Sequence, residues 1–137
     1  AQEFCRRAPS AEYVIDCLGD ALAQIAREMP QTGDYAEAQA AIAQAARKLR
    51  ALARENASTD LPTGVIRSTG SDGRRSNSAL TPVRTDTLAQ TTAAAVAIIE
   101  EAETILLRSA ANSAVRRVHY EQIAQVMGSN KVLLRSL

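Results

Sequence analysis

Between Tyr35 and Leu52 the apolar residues Tyr35, Ala38, Ile42, Ala45, Leu49 and Leu52 recur in steps of three and four. A helix gathers such residues onto one face, because 3.6 residues complete a turn, whereas a strand would scatter them to both sides of a sheet. Asp34 stands ahead of this run with Glu37 three residues on, the outline of a capping box. Arg47, Lys48, Arg50 and Arg54 crowd its second half, where positive charge complements the helix dipole.

The same spacing recurs elsewhere. Ile15, Leu18, Leu22, Ile25 and Met29 form a seam that opens after Pro9, with Ser10 placed to cap it, and stops before Pro30. Leu88, Thr92, Ala95, Ile99, Ala102 and Leu106, widened by Ile98 and Ile105, predict a helix from Asp86 or Thr87 to about Ala111. A last helix opens at Asn112 or Ser113, its stripe reading Val115, His119, Ile123 and Val126 with Tyr120 and Met127 beside it. "GSN" at positions 128–130 predicts its end and the start of a short helical turn over 131–137. Alanine fills much of every seam, and it is both the best helix former and small enough for close helix approach.

From residue 57 to 85 the periodicity stops. "STGSDGRRSNS" holds serine, glycine and arginine between Pro62 and Pro82, and nothing in it is patterned to bury a face. The expected fold is therefore all-α, one domain over residues 1–137. It is an antiparallel four-helix bundle with an N-terminal arm at 1–9, a long, irregular, flexible crossover at 57–85 and a short C-terminal helical turn. A homodimer in which each chain gives helical hairpins is the alternative.

Sixteen basic and fifteen acidic residues leave a formal charge of +1, without the surplus a general nucleic-acid binder needs. With no tryptophan and one phenylalanine, stacking platforms for single strands are missing too. The longest apolar run, Ala93 to Ile99, meets Glu100 and Glu101 well short of the roughly 18 residues of a membrane span.

Cys5 and Cys17 are the only cysteines, and Cys5 lies in an otherwise untethered arm. A single pair so placed predicts a disulfide and hence a secreted or periplasmic setting. The opening "AQEF" fits a chain released by signal peptidase, and trimming of another kind is the other reading. Neither CxxC nor CxxCH occurs, and two cysteines with one histidine are too few soft ligands for zinc.

His119 is the sole histidine, which leaves a nucleophile–base pair with one candidate on an apolar stripe. An up-down-up-down bundle would bring Met29 and His119 to the same end, the axial pair of a b-type haem. A core methionine and a core-edge histidine are the plainer reading. Glu100, Glu101 and Glu103 lack the Glu-x-x-His partners of a di-iron bundle and read as a solvated face. "GRRSNS" at 73–78 offers guanidinium groups to an acidic partner but lacks the P-loop pattern.

These readings favour a non-catalytic protein that binds another protein, with Arg67, Arg74, Arg75 and Arg84 of the crossover meeting an acidic surface. A small-ligand or haem carrier using the bundle interior is the second expectation, and a cytosolic self-associating module the third. No enzymatic constellation stands out.

Overall fold

The computed structural model describes residues 5, 6, 8, 10–64, 79–110 and 114–137, with side chains for all of these except 110 and 114–119. Four α-helices carry the fold: α1 Val14–Glu28, α2 Ala36–Glu55, α3 Leu88–Ala110 and α4 Ala114–Arg135. Single 3-10 turns at Ala11–Tyr13, Gly33–Tyr35 and Thr85–Thr87 lead into the first three. Gly33, at φ 76°, takes the left-handed conformation that lets the chain reverse between α1 and α2.

Consecutive helices pack antiparallel. Ser109, near the end of α3, donates a hydrogen bond to Glu37, near the start of α2. Lys48 meets Glu101 at 3.1 Å further along the same pair. Between α3 and α4, Glu103 pairs with Lys131 at 2.7 Å and Glu100 with Arg135 at 3.2 Å. α1 and α4 touch over only a small area. The expected helical bundle forms, as a row of neighbours more than a closed square.

The first three seams are buried as the spacing predicts. Ile15, Leu18 and Leu22 meet Ile42, Ala45 and Leu49, and Ala95, Ile99, Ala102 and Leu106 complete the same cluster. The seam ends Ile25, Met29, Tyr35, Leu52 and Leu88 are half-buried.

Local expectations fail where a tertiary contact outcompetes them. No side-chain cap forms at either start of the second helical segment, and Glu37 turns to Ser109 instead of its own backbone. Residues 128–130 do not end the last helix, so the separate C-terminal turn is absent and α4 runs on to Arg135. An interior glycine costs about 1 kcal/mol relative to alanine. Continuing the helix buries Leu133 and Leu134, which outweighs that cost. A Cβ at Gly128 would meet Glu103 Oε2 at 3.4 Å, an ordinary contact, so the position is open to a helix former such as alanine. The buried α4 seam reads Tyr120, Ala124, Met127 and Leu134, one residue on from the predicted stripe, and Val126 is 44% exposed.

The long crossover joins α2 to α3 without regular secondary structure in its described residues, as expected, and its legs make contacts that the pattern does not show. Its two legs run antiparallel, bridged at Ala57–Val83 and Gly64–Leu80. Ser58 N–H donates to Pro82 O at 2.9 Å and Arg84 N–H to Asn56 O at 2.8 Å. Both legs lie on the start of α1: Val83 N–H donates to Glu12 O at 2.9 Å, Thr81 N–H to Asp16 Oδ2 at 2.8 Å, and the Tyr13 hydroxyl to Pro62 O. Leu80 and Val83 are fully buried there. Two isolated apolar residues carry no period, so pattern reading passes over them.

As a result, every residue from Tyr13 to Asp20 is buried, and the first turns of α1 have no solvent face. Two carboxylates, Asp16 and Asp20, are enclosed with them. Arg50 reaches across Gly19 from α2 to hold both, with Nε 3.2 Å from Asp16 and Nη1 3.4 Å from Asp20. Pairing and hydrogen bonding of this kind are what make a buried carboxylate tolerable.

Candidate binding face

The second half of α1 and the facing half of α2 meet through alanines. Ala26 and Ala46 are buried between them, with Ala23 and Ala43 half-buried alongside. Because these side chains end at Cβ, the outer surface of the helix pair is a cleft of about 210 Å³. Its rim holds Arg27 and Gln31 on the α1 side and Gln39, Arg47 and Arg50 on α2. Gln39 Nε2 donates at 3.2 Å to the Ala26 carbonyl, which also accepts the Met29 N–H at the end of α1.

Charge gives this face its character. Among the described residues, Lys48, Arg50, Arg84, Lys131 and Arg135 are each paired with a carboxylate. Arg6, Arg27, Arg47, Arg54 and Arg108 are exposed and make no ion pair among the described residues, and three of them, Arg27, Arg47 and Arg54, belong to α1 and α2. Arg54 lies seven residues from Arg47, two turns along the same stripe of α2. Glu28 and Glu55 adjoin Arg27 and Arg54 in sequence, but neighbours on a helix point about 100° apart and no pair forms. Free guanidinium groups beside a shallow apolar floor suit carboxylate ligands, which they bind bidentately.

Of the residues predicted from sequence, Cys5 and Cys17 are joined as a disulfide with a Cα–Cα distance of 5.7 Å. Arg67, Arg74 and Arg75 lie outside the described residues. Arg84 is exposed and sits 3.6 Å from Asp86, next to the end of α2 through its backbone bond to Asn56. Met29 is half-buried against the core, and the His119 side chain lies outside the described ones. Sequence reading noticed the α2 arginines as dipole partners and passed over Arg27. The signal available was the coincidence of arginines with alanines on one face of both helices.

A larger open groove, about 620 Å³, lies at the other end of the bundle where α3 extends beyond α4. Leu88, Val96, Leu134 and Leu137 wall it, and its one guanidinium, Arg135, is already held by Glu100. Among the described residues no group of three or more His, Cys, Asp or Glu side chains could hold a metal ion, and no helix is long and apolar enough to cross a membrane. Compared with protein-family models, with curated proteins and with solved structures, the chain finds no match.

Proposed function

We propose that this chain is a non-catalytic protein of an oxidising compartment, secreted or periplasmic, that binds an acidic segment of another protein. The observation that carries the reading is the grouping of exposed arginines on one helix pair: Arg27, Arg47 and Arg54 of α1 and α2 meet no carboxylate among the described residues, and Arg27 and Arg47 rim the same cleft. Such groups contribute to association rate and specificity, and their effect weakens as salt rises. The Cys5–Cys17 disulfide supports the compartment, since such bonds persist where thiols are not kept reduced.

The direct test is binding of fluorescent poly-glutamate peptide to the whole protein across a salt series. Replacing Arg27, Arg47 and Arg54 by glutamate should abolish binding, with folding verified by circular dichroism. Replacing Arg74 and Arg75 by alanine measures the share of the crossover. Binding that ignores both sets of substitutions removes the reading. Thiol alkylation of native-source protein tests the compartment separately: labelling without prior reductant places the chain in a reducing one.

A further inference from the structure

We infer that the cleft between α1 and α2 is a seat for an acidic α-helix of the partner, a deepening that rests on the acidic-partner reading above. The choice of a helix over an extended segment comes from the floor. Ala23, Ala26, Ala43 and Ala46 offer no side-chain donor or acceptor to a strand's backbone, and Gln39 has given one of its two amide N–H groups to Ala26. An extended peptide laid there would leave backbone groups unpaired, whereas a helix satisfies its own. The same short side chains let a third helix approach closely, its ridge entering the groove between the two.

Arg27 on one flank and Arg47 on the other then face carboxylates on both sides of the incoming helix. At about 210 Å³ the cleft falls below the roughly 300–1,000 Å³ of small-molecule sites, so a shallow helix contact fits it better than an enclosed ligand.

The experiment uses two glutamate- and alanine-rich peptides of identical composition, one all-L and one carrying two central D-residues that break the helix. Each is about 20 residues long, beyond the roughly 12–15 below which isolated helices are marginal. Affinity for the full-length protein is read by fluorescence anisotropy at low salt. The helix-competent peptide should bind at least about tenfold more tightly, since it does not pay to order itself against an unsupportive floor.

Ala43→Leu, which fills the cleft, and the double variant Arg27→Ala, Arg47→Ala should each remove that preference. Equal affinity for the two peptides overturns the helical seat while leaving the acidic-partner reading standing. Absence of binding to either peptide sinks both. A dimer of the protein alone, lost on Ala43→Leu in sedimentation, assigns the cleft to a second copy and overturns the inference.

Discussion

Arg50 crosses α1 at Gly19, and the crossing leaves no space for a side chain. A Cβ there would stand 2.7 Å from Arg50 Cγ and 3.3 Å from the Ala46 carbonyl oxygen. In an open helix, alanine is favoured over glycine by about 1 kcal/mol. Here it would push the arginine stem away from Asp16 and Asp20, and overpacking a tight site costs about 1–3 kcal/mol. The steric effect wins, so Gly19→Ala should lower the melting temperature; a rise would show that Arg50 repacks freely. Glu12 gives a second test. Its carboxyl is held below the ordinary glutamate value, first by the Thr85 hydroxyl, which donates to Oε2 at 2.7 Å, then by backbone and Ser10 hydrogen bonds. A depressed folded pKa stabilises the fold above the unfolded value of about 4.3, and that contribution is lost as pH falls through the folded value. Thr85→Val should therefore flatten the acid limb of the stability curve below pH about 4.3 and leave its slope at neutral pH unchanged. An acid limb identical to that of the parent chain would discount the contact.

The N-terminal arm and the crossover legs both depend on α1, and they are fastened differently. The arm's described tie is covalent: Cys5 is fully buried against α1 and joined to Cys17, twelve residues away. Closing a loop of that size is worth about 3 kcal/mol in the chain-entropy model. Replacing both cysteines by alanine should therefore lower the unfolding free energy from urea titration by that order, and the midpoint with it, with the helical circular dichroism kept. A midpoint shift within error would mean that packing alone seats the arm. The legs are held by polar bonds to Glu12, Asp16 and Tyr13, and this separates what was legible from what was not. Seams such as Ile42, Ala45 and Leu49 declare themselves because a helix repeats its environment every turn. The cysteine pair was legible because disulfides follow simple counting. Leu80 and Val83 are buried where the two legs meet each other and the start of α1, and no local period records that. The end of α4 follows the same rule: Gly128 is a stop signal locally, and the burial of Leu133 and Leu134 carries the helix past it. At the candidate face, alanines and arginines were both visible, but their meeting across α1 and α2 is a product of packing.

Across the whole molecule the helices support one another unequally. α2 lies between α1 and α3, and α1 is further clasped by the disulfide and the crossover legs, whereas α4 leans chiefly on α3. Beyond that contact, α4 is tied to the opposite hairpin by the Tyr120 hydroxyl, which donates to Asp34 O, and by the Tyr35 ring 6.4 Å from its own. It also carries a penalty, since the fully buried Asn130 side chain makes no hydrogen bond to another protein group. An unmade buried bond costs about 1–3 kcal/mol. α4 should therefore open first, as a sub-global unit, while the α1–α2 face stays folded and able to bind. Native-state hydrogen exchange is the measurement: α4 amides should exchange at lower free energy than those of α2. Asn130→Leu, with the same branching and no unmet polar groups, should narrow that gap, and Tyr120→Phe should widen it. If α4 is as well protected as α2 in the parent protein, the bundle is closed in solution and the α1–α2 face is no more durable than the rest of the surface.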